Sequence, residues 1–490
     1  MDNTGLQQHQ SVSYFVSTGF ALYMGSLDSM VSLQSSINVE YNIGPTSMLF
    51  AFLSMAIGSL FISPLMIRLF GPKNVLIAAE LLIVIYTAAF FKPNLPIAIT
   101  AAILFGLSLS CAWSAASIIF AAAEESVCGK GHANTGKFFA IVSAGQIMSD
   151  AIAEVVLQGM KTENRTKLSV DKLSNSSLSD VDITLYLNQT EEFLTTCASN
   201  DCPESYSFVR DSPKFKLYIP ENKYSVYILL SVFLMMQLGA AIFHWATLPS
   251  SIVKDDPSSK NCQSDTGCEA AKSRNSRSRS ETLSDELIWT LKGMHGHLTS
   301  LQGVLTIPAL AFHGILISFI FSEFNRSYVA CTLGVEQVGM STAIVDTFSL
   351  FTSVIIICVG RKLSLPGIYV AALAFDVANF VASLLWVPTP AALVIPYILA
   401  MTYGVSYGLR RNIAFLAATT YFKDLTSSFC VQSLMLSCGM AFTFAWSSLV
   451  CVNIKLYVMT AMTIMLTILI FIAHIRYKKE FTEYESLNSE

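Results

Sequence analysis

The chain has 490 residues, of which 53% are hydrophobic and 13% charged, and its mean hydropathy is +0.54. A soluble protein carries roughly 25% charged residues, so the composition excludes a soluble globular domain and indicates a polytopic membrane protein. The formal net charge of -4 is small and suggests no nucleic-acid partner.

The first dozen residues are polar, lack Lys and Arg and show no cleavage pattern, so no cleaved signal is expected. Crossing a bilayer takes about 20 mostly apolar residues in a helix. Twelve such segments follow, at 14–37, 46–69, 75–91, 97–122, 138–158, 224–248, 301–321, 338–359, 368–387, 391–408, 429–452 and 456–475. Helices are expected because hydrocarbon offers backbone groups no partner, and the short alternating strands of a β-barrel are missing. Two polar stretches interrupt the pattern, one between spans five and six and one between spans six and seven. The expected organisation is an N-terminal six-helix half (1–248, with an exoplasmic loop at 159–223), a cytoplasmic linker (249–300), a C-terminal six-helix half (301–475) and a cytoplasmic tail (476–490).

Orientation follows from the basic residues of short loops. Arg68 and Lys73, Lys130 and Lys137, Arg361 and Lys362, and Arg410, Arg411 and Lys423 follow the even spans, and Arg476, Lys478 and Lys479 begin the tail. The opposite loops hold Lys92, Arg326 and Lys455. Both termini are therefore expected in the cytoplasm. The sequons at Asn164, Asn175, Asn188 and Asn325 all fall in loops that this charge bias puts outside, where glycosylation occurs. Cys197 and Cys202 share the first outer loop, "CASNDC", and an oxidising compartment favours their pairing. Cys331 is the odd one, free to pair with either of them or with Cys451.

The linker contains "KSRNSRSRSETLSDELIWTLKGM". Its Ser/Arg-rich half is expected to be disordered, with serines beside basic residues as phosphorylation candidates. Leu283, Leu287, Ile288 and Leu291 recur at helical spacing, which predicts a short amphipathic helix on the inner membrane face. In the tail, Tyr484 to Leu487 fits a tyrosine-plus-bulky-hydrophobe sorting signal, bound in extended form by an adaptor.

Ionisable residues at membrane depth are costly and mark functional candidates. They are Asp28, Glu80, Asp150, Glu154, His313, Asp346 and Asp376. Asp150 and Glu154 stand four apart and share a helix face. In an ion-coupled carrier Asp28, Asp150 and Glu154 would bind and release the coupling ion; the plainer reading is polar contact between helices. "FGLSLSCAWSAAS" (105–117) reads as close helix packing by small residues. No Walker loop, HExxH, GxSxG or spaced Cys/His cluster occurs, so neither catalysis nor a metal or other cofactor is expected.

Six plus six spans around a central cytoplasmic loop resemble the major facilitator superfamily, whose halves are repeats. "RLFGPK" after span two and "GRKLSLPG" after span eight partly match its repeated loop, with Ile67 where an acidic residue belongs. Closer motifs resemble the Unc-93 family: "LQSSIN" (33–38), "AWSAA" (112–116), "TTCASNDC" (195–202), "SEFNRSYVACTLG" (322–334), "AFTFAW" (441–446) and "CVNIKLYV" (451–458). "GVSYGLRRN" (404–412) departs from the family pattern. The resemblance implies an all-α fold of twelve transmembrane helices and an accessory role. Such proteins regulate a two-pore potassium channel or escort Toll-like receptors from the endoplasmic reticulum to endosomes. It also implies a membrane-protein partner and membrane lipid, with the plasma membrane as first location and the endosome as second. The loop 322–334 would then offer Glu323, Arg326 and Tyr328 for docking, with Cys331 shaping it; capping of spans seven and eight is the simpler reading. The alternative function is a secondary transporter of a small organic solute driven by an ion gradient.

Overall fold

The structure, a computed structural model, describes residues 3–37, 43–92, 94–125, 131–159, 194–202, 223–249, 283–359, 365–389, 392–421, 425–447 and 449–487. Helices dominate, and no strand occurs among the described residues. The first half holds α1 (Asn3–Ile37), α2 (Ile43–Ile57), α3 (Ser63–Phe70), α4 (Pro72–Ala89), α5 (Leu95–Glu125), α6 (Gly131–Gly159) and α7 (Lys223–Thr247). A π-helical turn, Gly58–Ile62, joins α2 to α3 as one continuous span. The amphipathic helix expected in the linker forms as α8 (Leu283–Thr299), and its Met294 packs with Ile307, Cys430, Val431 and Leu434. The second half holds α9 (Leu301–Ser318), α10 (Val338–Val359), α11 (Leu365–Leu385), α12 (Ile395–Tyr421), α13 (Leu425–Ser447) and α14 (Val452–Leu487).

Turn chemistry explains several boundaries. At the α3–α4 corner Gly71 takes φ 78°, a left-handed conformation that costs glycine little, and Pro72 starts α4 where its missing N–H is not needed. The neighbouring Lys73 Nζ donates to the carbonyls of Trp245 and Leu248, placing a cation at the negative end of α7. Ser300 caps α9 by accepting the Gly303 N–H at 3.0 Å.

Packing repeats between the halves. In the first, α1 lies on α6, α2 on α5 and α4 on α7. In the second, α9 lies on α13, α10 on α12 and α11 on α14, the same pairs displaced by six spans. Two seams join the halves, α6 against α10 and α2 against α13. Small residues allow these approaches: a Cβ on Gly106 would sit 1.9 Å from the Ala51 carbonyl oxygen, so α5 touches α2 backbone to backbone. This bears on the 105–117 stretch, whose small residues do close-packing work.

Ten described helical segments are long and apolar enough to cross a membrane. The other two long helices, α1 and α12, are more polar. Span ten was expected to end at Gly408, leaving Arg410 and Arg411 in a cytoplasmic loop. Instead α12 continues to Tyr421, and both arginines lie inside it, 2% and 3% exposed. They stay in the helix because each has buried partners. Arg410 binds Asp376, with Nε at 3.0 Å and Nη2 at 2.5 Å, and Arg411 reaches Gln146, Tyr407, Ser349 and the Phe139 carbonyl. Lys455, expected in an outer loop, is also buried, its Nζ 3.0 Å from Glu323. These three residues therefore drop out of the loop-charge argument.

Candidate functional site

The segment 322–334 is not a loop. Beyond Ser318, α9 runs into a π-helix, Phe319–Ala330, every residue of which is buried. Its charges are met internally: Arg326 Nη2 lies 2.8 Å from Glu323 Oε2, and Lys455 closes on the same oxygen. Tyr328 Oη donates to the Ser383 carbonyl at 2.9 Å. Glu323, Arg326 and Tyr328 therefore form an internal brace, and the docking surface expected from them is absent. Asn325 has no exposure, so a glycan cannot be attached there in the folded state. Asn164, Asn175 and Asn188 lie outside the described residues, as does the Ser/Arg-rich part of the linker.

The expected Cys197–Cys202 bridge is replaced by two long-range ones, Cys197–Cys331 and Cys202–Cys451. The reason is where the outer-loop turn sits. Ala198–Asn200 form a 3-10 turn against the end of the π-helix and the start of α14, so each cysteine meets a different neighbour. Asp201 reinforces the dock: its carbonyl accepts the Val452 N–H at 3.0 Å, and its carboxylate accepts Ser327 Oγ at 2.7 Å. The sequence offered Cys331 and Cys451 as candidates but contained no signal for the order of pairing. At the other end, the backbone of Tyr484 to Leu487 is the last turn of α14, so extended docking of that motif requires the helix end to unwind.

The site that the fold does build is a cavity between the halves, about 790 Å³ of unfilled space with its mouth included. Its walls come from α1, α2, α5 and α6 on one side and from α9, the π-helix, α12 and α13 on the other. Most of the lining is apolar and aromatic, including Phe52, Phe105, Trp113, Phe321 and Phe444. Polar side chains in it include Asp28, Gln146, His313, Ser318, Tyr407 and Arg411. Gln146 bridges the two charges, donating through Nε2 to Asp28 and accepting Arg411 Nη1 at 3.0 Å through Oε1. The Arg411 guanidinium also stands over the Phe139 and Tyr407 rings, 4.7 and 4.8 Å from their centroids. One or two turns toward the start of α6, Phe138, Phe139, Phe120, Phe415 and Phe429 pack in series across the halves.

Four polar atoms in this lining have no hydrogen-bond partner among the described residues: Trp113 Nε1, His313 Nδ1, Ser318 Oγ and Arg411 Nε. Two of the four, Trp113 Nε1 and Arg411 Nε, are obligatory donors, so the lining suits a guest that brings acceptor oxygens on an apolar body. Of the predicted ion-coupling residues, Asp28 is in the cavity. Asp150 is one turn along α6 from Gln146, accepting Ser29 Oγ at 2.5 Å. Glu154 serves a different purpose: its Oε2 accepts the Met340 N–H at 2.9 Å, capping the first turn of α10 across the seam. The stretch 404–412, set aside as a departure, supplies Arg411; its signal was two adjacent arginines close behind an apolar run.

Fold and cavity together define the class, a polytopic membrane protein of the major facilitator fold. A solved nucleoside transporter superposes with a TM-score of 0.55 over 95% of this chain and 99% of its own, at 10% identity. An Escherichia coli xylose transporter (TM-score 0.56, 10% identity, 95% and 97%) and an Escherichia coli fucose:proton symporter (0.52, 12%, 95% and 98%) share the architecture. No family model matches the chain. Within that class the chain is similar to Unc-93 proteins along most of its length. It is 21% identical to Unc-93 homolog A of Xenopus laevis over 97% of its length and 96% of that protein, and 24% identical to the human homolog A over 91% and 88%. It is also 22% identical to the Caenorhabditis elegans unc-93 protein, whose name proposes a potassium channel regulatory role, over 91% of this chain and 58% of that one.

Proposed function

We propose that this protein is a membrane accessory of the Unc-93 type, which regulates or escorts another membrane protein such as a potassium channel subunit or a receptor. The observation that carries this reading is similarity to Unc-93 proteins along nearly the whole chain, the C. elegans relative among them. In this reading both termini are cytoplasmic, residues 249–300 form an inner linker, and the protein works at the plasma membrane or in endosomes. The partner would meet the lipid-facing helix sides rather than 322–334, whose charged residues are internal. The test is capture of the tagged full-length chain in mild detergent, joined to whole-cell recording of the captured channel with and without it. Recovery of one channel or receptor whose current or surface density changes supports the proposal. Capture of none, with unchanged currents in a panel of two-pore potassium channels, refutes it.

A second reading, secondary transport of a small organic solute, is favoured by one observation: the cavity between the halves carries Asp28 and Arg411 and four polar atoms unpartnered among the described residues. Saturable, gradient-driven uptake into proteoliposomes that Asp28→Asn abolishes would establish it. Absence of uptake for a panel of organic acids, sugars and nucleosides counts against it.

A further inference from the structure

We propose that Asp150 and Asp346 share a single proton, bound between the two halves of the molecule. Asp150 belongs to α6 in the first half and Asp346 to α10 in the second. Both are buried, and their carboxyl groups lie within hydrogen-bonding range of each other. Asp150 Oδ1 is satisfied by Ser29. The Thr342 hydroxyl also approaches Asp150, although it donates to the Val338 and Gly339 carbonyls; Asp150 Oδ2 and both oxygens of Asp346 are fully buried with no hydrogen-bond partner among the described residues. Ionised carboxylates only accept, so two of them in contact cannot bond. A carboxylic acid facing a carboxylate can, and one proton then satisfies the pair.

Among the described residues the surroundings supply one cation, and it is engaged elsewhere. Asp28 approaches from α1 with the same charge, and Tyr407 faces the pair from α12. Glu154, one turn further along α6, is engaged with the Met340 N–H. Arg411 is the one cation acting on Asp346, and its guanidinium is held by Gln146, Ser143, Ser349, Tyr407 and the Phe139 carbonyl, linked through Gln146 to Asp28. The helices that carry the two carboxyls are closely packed. A Cβ on Gly339 would lie 3.2 Å from the Asp150 carbonyl oxygen, so α6 and α10 touch at the backbone. Loss of the proton leaves two adjacent negative charges in the seam, and the relief available is separation of the halves. This extends the ion-coupled reading by giving Asp150 a partner, but it concerns protonation and does not depend on transport.

The test is infrared spectroscopy of the full-length protein in nanodiscs, with aspartate carboxyls isotope-labelled so that their protonated carbonyl band is separated from glutamate. The expected result is an aspartate carboxylic-acid band in the wild type that is lost in Asp346→Asn and in Asp150→Asn and retained in Asp28→Asn. Raising the pH should bleach it in the wild type. A missing band, or one that both seam variants keep, overturns the proposal. So does thermal stabilisation of the wild type, but not of Asp346→Asn, by sodium or potassium in place of choline, since a metal ion would then occupy the pair. Should both seam variants fail to fold, loss of the band in Asp28→Asn still refutes the assignment and its retention there supports it.

Discussion

The buried Asp376–Arg410 pair offers a direct measurement of how this chain keeps charge inside a membrane helix. Asp376 on α11 accepts Arg410 Nε at 3.0 Å and Nη2 at 2.5 Å, Thr463 Oγ1 at 2.9 Å and the Ser406 hydroxyl. Arg410 lies over the Phe312 ring at 5.1 Å and the Tyr369 ring at 5.7 Å. Neither side chain has appreciable exposure, at 1% and 0%. Removing one member of such a pair strands the other charge and costs about 3–5 kcal/mol, whereas replacing both with apolar residues of similar size is often neutral. Arg410→Met and Asp376→Leu should each destabilise by about that amount, and the double variant should recover most of it, giving a coupling energy of about 3 kcal/mol or more. The assay is reversible unfolding in mixed micelles with rising sodium dodecyl sulfate, followed by intrinsic fluorescence. If Arg410→Met alone falls within about 0.5 kcal/mol of wild type, as a solvated loop residue would, the placement of Arg410 inside α12 is wrong.

Three further outcomes follow. Non-reducing peptide mapping should recover Cys197 linked to Cys331 and Cys202 linked to Cys451, and Cys331→Ser should free the Cys197 thiol; a peptide joining Cys197 to Cys202 would contradict the fold of the outer segment. Asn325→Gln should leave electrophoretic mobility unchanged before and after glycosidase treatment, because that side chain is internal; a mobility shift would place 322–334 at the surface. Lys455→Met should cost about 3 kcal/mol in the same unfolding assay, since it removes a buried cation from Glu323; an effect within the range of surface substitutions would argue for a solvated Lys455.

The helical architecture was legible because its cause is local: about 20 apolar residues in a row can do little else in hydrocarbon. Span eight, read as 338–359, coincides with α10. The errors share one origin. Charged residues next to an apolar run were taken as its end, which is sound for an isolated helix but fails when a second helix supplies the counter-charge. Arg410 needs Asp376 from α11, Glu323 needs Lys455 from α14, and neither partner can be foreseen without the packing. The same holds for the cysteines, whose partners are 134 and 249 residues away in sequence. Asp28 was recognisable as a functional candidate because it is an ionisable residue at membrane depth. Arg411 and Asp346, which complete its surroundings, required the second half of the molecule.

The buried charges divide by what they connect. Glu80 with His244 joins α4 to α7 at 2.7 Å, inside the first half. Asp376 with Arg410, and Glu323 with Arg326 and Lys455, join elements within the second. Groups of this kind can persist unchanged if the halves move as bodies. Other charged groups cross between the halves: Asp28 through Gln146 to Arg411, Asp150 against Asp346, Glu154 on the first turn of α10, and Arg326 toward Asp201 of the outer segment at 4.0 Å. Any relative motion of the halves must break and remake these contacts, whether it carries a solute or signals to a partner. A substitution at Asp376 should therefore lower stability without changing how the halves respond to pH, whereas one at Asp346 should do the reverse. That separation of effects, once measured, would locate the moving part of the molecule at the α6–α10 seam.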